Sequence, residues 1–135
     1  MLFRSGEQRG SAAADFDRDG RVDLVVAQNG AETKLYRNAT AKPGLRVRLS
    51  SGAGNRDAVG AVLRLEQGGV LGPASEVHAG SGYWSHDSVV QVMAWRAGPG
   101  RLFVHWPGRG ATTNAIPPGA REVLVEAGGK LSVVR

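Results

Sequence analysis

Four aspartates fall within nine residues near the start of the chain: Asp15, Asp17, Asp19 and Asp23 in ADFDRDGRVDLVV. Counted from Asp15, they occupy positions 1, 3, 5 and 9 of a short loop. Carboxylates so placed supply several of the six to eight oxygen ligands that a hard divalent cation takes at about 2.3–2.6 Å. Gly20 stands at position 6, where the chain bends tightly around the ion, and the backbone carbonyl of Arg21 falls at position 7. This pattern favours Ca2+ over Mg2+, which keeps more of its waters and uses fewer protein carboxylates. Position 12 is Val26 rather than Glu, which excludes an EF-hand and leaves Asp23 to serve as the bidentate ligand. Without an ion, four carboxylates this close repel one another, and Arg18 and Arg21 offset only part of that charge. The competing reading is an Asx-turn loop whose aspartates cap backbone N–H groups.

Other residues with reactive side chains are less convergent. The segment GSGYWSHDS (80–88) holds Ser85, His86 and Asp87 in succession. Adjacent residues on an extended chain point to opposite faces, so these three do not converge as a Ser-His-Asp triad, and no catalytic centre is assigned. Gly80 and Gly82 are expected to make a tight loop there, with Tyr83 and Trp84 anchoring it against a sheet edge. His78, His86 and His105 lie in different segments without a second ligand at metal spacing. Trp84, Trp95 and Trp106 form a sugar-stacking platform only if they share a face; core or edge packing is the simpler expectation. In NRDAVG (55–60), an Arg56–Asp57 pair is expected to fix a turn at the start of a strand. Asn38-Ala39-Thr40 fits an N-glycosylation sequon.

The elements that position these residues read as strands. Segments 22–28, 33–38, 45–50, 61–67, 75–80, 88–95, 101–106, 121–127 and 130–134 are β-type, several with period-2 alternation of Val and Leu, and Gly-, Pro-, Asn- and Ser-rich turns separate them. Helical periodicity is hard to find. The expected fold class is all-β, a partial hairpin carrying the aspartate loop followed by an antiparallel sandwich or open barrel. A boundary is expected at NATAKPG (38–44), giving units 1–42 and 43–135. A two-stranded hairpin is marginal in water by itself, so the following unit, an earlier part of a longer chain or another copy must cover it.

The chain has 135 residues and a net charge of +5, with pI near 10.4 and no cysteine. Disulfides, thiolate zinc sites and cysteine nucleophiles are therefore excluded. The arginines come singly, alternating with hydrophobes in GLRVRL and AVLRLEQ, which reads as half-solvated strands with a basic outer face. With no basic cluster and interleaved aromatics, specific nucleic-acid binding is not expected. No membrane-spanning run and no signal-peptide h-region is expected in MLFRSGEQRG or elsewhere.

ADFDRDGRVDLVVAQNGAETKLYRN resembles an FG-GAP/VCBS repeat, a propeller-blade unit with a DxDxDGxxDL loop. The resemblance implies calcium held by Asp15, Asp17, Asp19, Asp23 and the carbonyl of Arg21. GLRVRL, NRDAVGAVLRLEQGG, EVHAGSGYWSHDS, LFVHWPGRG and IPPGAREVLVE resemble successive landmarks of the ASPIC/UnbV domain, departing from it at QVMAWRAGPG (91–100). Together these resemblances imply the last blade segment and C-terminal domain of a longer extracellular or cell-surface protein. They imply an adhesion or structural role without catalysis, in which calcium orders the hairpin and exposed strand edges pair with other chains or repeats. The alternative is a module that binds carbohydrate or polyanion through basic strand faces and tryptophans.

Overall fold

The computed structural model of the protein describes residues 7–96 and 98–134. Among these residues every regular element is a strand: β1 (Glu7–Ala14), β2 (Asp23–Asn29), β3 (Lys34–Tyr36), β4 (Leu45–Ser50), β5 (Val62–Gln67), β6 (Val70–Leu71), β7 (Ser75–Glu76), β8 (Gln91–Met93), β9 (Gly100–His105), β10 (Ala111–Ala115), β11 (Glu122–Glu126) and β12 (Leu131–Val133). The protein is all-β, with three sheets and no closed barrel.

The first sheet is an antiparallel meander in the order β1-β2-β3. The aspartate loop is the β1–β2 connection, so the segment expected to be a lone hairpin gains a third strand on its other side. That strand, EQRGSAAA, is built from small and charged residues and carries no β-branched or aromatic signal. Its pairing with β2, seven residue pairs from Glu7↔Asn29 to Ala14↔Asp23 with a bulge between Gln8 and Gly10, supplies what its composition does not.

The other two sheets share one core. Sheet β10-β9-β5-β6, with β7 also on β5, faces sheet β12-β11-β4-β8. Alternation in LRVRLS sends Leu45, Val47 and Leu49 inward, where they meet Val123 and Val125 of β11 and Leu63, Leu65, Leu102 and Val104 of the opposite sheet. Trp106 is fully enclosed, and its indole N–H donates to Thr112 Oγ1 at 2.9 Å. One pairing departs from the antiparallel expectation: β4 and β11 run parallel, Arg46↔Glu122 through Ser50↔Glu126. A parallel neighbour needs a long crossover, and here β5 to β10 supply it.

Several sequence expectations change in this setting. Strands expected at 75–80 and 88–95 contract to Ser75–Glu76 and Gln91–Met93, while β6 appears in a segment read as a turn and β10 in one not read as a strand. Trp95 packs on the core edge and Trp106 inside it, so they share no exposed face with Trp84. The 55–60 turn is fixed by Asn55, whose Oδ1 accepts the Val59 N–H at 2.8 Å and whose Nδ2 donates to the Val59 carbonyl at 2.9 Å. No Arg56–Asp57 ion pair forms among the described residues. The basic outer face expected of GLRVRL is not solvated at Arg46, which is buried beneath the aspartate loop.

Candidate metal centre

Asp15 closes the end of β1 and Asp23 opens β2, so the ladder between these strands sets the width of the loop mouth. Gly20 lies at φ 85°, and a Cβ there would stand 3.0 Å from the Gly44 carbonyl oxygen; both facts favour the residue without a side chain. Its own carbonyl accepts the Gly44 N–H at 2.7 Å, tying the loop to the segment leading into β4.

Three of the four aspartates converge. Asp15, Asp17 and Asp19 each present a carboxylate oxygen within 4.8 Å of the other two. Ligands at about 2.3–2.6 Å from one calcium ion lie at most about 5 Å apart, so this spacing fits a shared hard cation. Asp15 is buried, Asp19 half-buried and Asp17 exposed, which leaves one side of the cluster open to solvent. Asp23 is not in the cluster. Its Oδ2 accepts the Phe16 N–H at 3.0 Å and its Oδ1 the Asn38 N–H at 2.8 Å, so it laces the loop to the segment two residues past β3. The Arg21 carbonyl accepts no hydrogen bond among the described residues.

The same carboxylates also cap backbone amides. Asp15 takes the N–H groups of Asp19 (Oδ1, 3.0 Å) and Gly20 (Oδ2, 2.8 Å), and Asp19 Oδ1 takes that of Arg21 at 2.9 Å. The Asx-turn pattern and the metal-like convergence therefore coexist in one loop. Three guanidinium groups supply charge. Arg37 Nε donates to Asp17 Oδ2 at 2.7 Å, Arg21 Nη1 to Asp19 Oδ2 at 2.7 Å, and Arg46 Nη1 to Asp15 Oδ2. Burial works to raise the Asp19 pKa, but hydrogen bonds from Arg21 and the charges of Arg21 and Arg37 outweigh it and hold the carboxyl below its ordinary value.

Arg46 extends this network into the sandwich. Its side chain is 6% exposed and lies between Asp15 (1%) and Glu122 (3%), donating from Nε to Glu122 Oε2 at 2.9 Å. Arg48 Nε adds a second donor to Glu122, at 2.5 Å to Oε1. Burial opposes both charges, yet the mutual contacts prevail: the Arg46 pKa is raised and the Glu122 pKa lowered. Sequence reasoning missed Arg37, Arg46 and Glu122. Arg46 has the outward parity of β4, but no local signal names the loop, 31 residues earlier, that covers it.

The GSGYWSHDS segment docks on the outer edge of β1. Ser85 Oγ accepts the Ser11 N–H at 3.0 Å, Asp87 Oδ1 accepts the Ala13 N–H at 2.7 Å, and Ser88 N–H donates to the Ala13 carbonyl at 2.9 Å. Ser85 and Asp87 share a face while the exposed His86 lies between them in sequence, and the loop covers an edge that would otherwise be unpaired. The expected aromatic anchor is absent: Tyr83 and Trp84 are 69% and 76% exposed. Hydrogen bonds from the smaller residues hold the loop instead. Asn38 of the sequon spends its side-chain amide within the chain, Nδ2 donating to the Val22 carbonyl at 3.2 Å.

Comparisons of the chain with protein-family models, curated proteins and solved structures find no match. Among the described residues no helix is long and apolar enough to cross a membrane.

Proposed function

We propose that this chain is a non-enzymatic, calcium-ordered structural module in which one Ca2+ fixes the aspartate loop and so holds the β1–β3 meander on the sandwich. The observation that carries this reading is the convergence of Asp15, Asp17 and Asp19 within 4.8 Å. Asp15, Asp17 and Asp19 would hold the ion, with the Arg21 carbonyl as a further oxygen and Asp23 as the brace behind them. The ion supplies charge neutralisation and no chemistry. Arg21 and Arg37 are the cations it replaces, because their partners Asp17 and Asp19 lie on the open side. Arg46 stays, since it is enclosed with Asp15 and Glu122.

Resemblance to blade repeats supports placement at the cell surface or outside the cell and a role in adhesion. The outer edge of β3, with Leu35 half exposed, is the surface on which a strand of another chain or repeat would add. The polyanion alternative loses Arg46 from one basic strand face, on which Arg48 stays partly exposed. A second reading has its own observation: the guanidinium and amide contacts already satisfy the carboxylates, which suits a loop that needs no metal. Calorimetric titration of chelator-treated protein separates the two. A stoichiometric calcium heat, abolished in Asp17→Asn/Asp19→Asn, supports the ion; no heat supports the arginine-closed loop.

A further inference from the structure

The Tyr83–Trp84 turn is built in a way that burial and backbone preference both oppose. The two rings stack with centroids 5.3 Å apart at 13°, and both are exposed to solvent. Trp84 sits at φ 52°, a left-handed conformation that bulky residues avoid. The turn is nevertheless firmly held. Ser85 N–H donates to the Gly82 carbonyl at 3.2 Å, and Ser81 N–H to the Ser85 carbonyl at 3.1 Å. Behind it, Gly10 of β1 lies so close to the Trp84 carbonyl that a Cβ would collide with it. Strain maintained by a rigid scaffold, with apolar rings turned outward, is the signature of a surface shaped for a ligand.

A cleft of about 400 Å³ adjoins the turn. Ser81 and Asp87, which flank the turn and hydrogen-bond to each other at 3.0 Å, form part of its wall. Glu76 and His78 add further polar groups, and Ala13 of β1 and Val22 of the aspartate loop contribute apolar surface. Asp87 spends one oxygen on β1, and its Oδ2 makes no hydrogen bond among the described residues.

We propose that this turn and cleft form a binding site for an uncharged oligosaccharide. The flat outer face of the ring pair matches the C–H face of a pyranose. The carboxylates of Glu76 and Asp87 accept from sugar hydroxyls and disfavour sulfated glycans and nucleic acids. Proline-rich peptides enter slots between aromatic ridges, and the stacking of Tyr83 on Trp84 closes any slot between them. The cleft meets the aspartate loop at Val22, but none of Asp15, Asp17, Asp19 and Asp23 lines it.

The test is calorimetric titration of the full 135-residue chain with cellohexaose, xylohexaose, maltohexaose and chitohexaose, and with heparin and decaproline as contrasts. At least one neutral hexaose should bind with Kd below about 1 mM. Trp84→Gly, which relieves the left-handed strain, should keep or raise the melting temperature while weakening that binding at least about tenfold. Tyr83→Ala should weaken it similarly in a fully folded protein. No heat with any of the four hexaoses, tighter binding of heparin or decaproline, or undiminished binding by both variants would overturn the proposal.

Discussion

Replacing Arg46 by Met tests the join between the aspartate loop and the sandwich. Methionine keeps most of the volume and removes the charge. The change leaves two buried carboxylates, Asp15 at 1% and Glu122 at 3% side-chain exposure, without their shared cation. Breaking a buried ion pair from one side costs about 3–5 kcal/mol. Here the amides of Asp19 and Gly20 still serve Asp15, and Arg48 still serves Glu122, so the lower end, about 3 kcal/mol, applies. In a chain of this size that corresponds to a fall in melting temperature of about 9–15 °C, read by circular dichroism. Arg48→Met is the internal control: its side chain is 42% exposed, and its loss should cost no more than about 1 kcal/mol. If calcium occupies the loop, Asp15 regains a cation, and the Arg46→Met deficit should be smaller in calcium than in chelator. A fall no larger than that of Arg48→Met would refute the buried network as a determinant of stability.

Two further outcomes follow from other contacts. Burial works to raise the Glu122 pKa, but Arg46 and Arg48 hold it below 4.5, and Asp19 is similarly held below 3.8. A carboxyl lowered on folding stabilises fully above its unfolded pKa and loses that contribution as pH falls through the folded value. The melting temperature should therefore be insensitive to these groups above about pH 5 and drop below about pH 4.5, with a shallower drop in Glu122→Gln; an identical acid profile in that variant would contradict the assignment. Gly10→Ala should force the Trp84 turn away from β1, cost about 1–3 kcal/mol and speed hydrogen exchange at the Ser11 and Ala13 amides. Unchanged exchange there would show that the loop does not guard this edge.

Much of the sandwich was legible because its strands alternate. In β4, β5, β9 and β11, inward Leu and Val residues carry a period-2 signal that burial confirms. Strand β1 was illegible because its stability comes from pairing with β2 and from caps supplied by Ser85 and Asp87, 74 residues away in each case. Strand β10, ATTNA, lies at a sheet edge with little to bury, so it left no hydrophobic trace. Spacing within the aspartate motif brought Asp15, Asp17 and Asp19 to notice, but the division of labour between them and Asp23 depends on where the Phe16 and Asn38 amides fall. The parity of Arg46 was readable and its environment was not. Alternation tells which side of a strand a residue faces, and only the tertiary fold tells what lies there. Tyr83 and Trp84 show the converse, since hydrophobicity argued for anchoring and the turn holds them outward.

The role of the aspartate loop is tested most directly by melting the protein in millimolar calcium and in excess chelator. At about one hundred times Kd, a single ion that binds only the folded chain adds about 2.7 kcal/mol. That amounts to a rise of about 8–14 °C, which Asp19→Ala should abolish. Equal melting temperatures in calcium and chelator would contradict the metal-ordered loop and leave Arg21, Arg37 and Arg46 as the cations that close it.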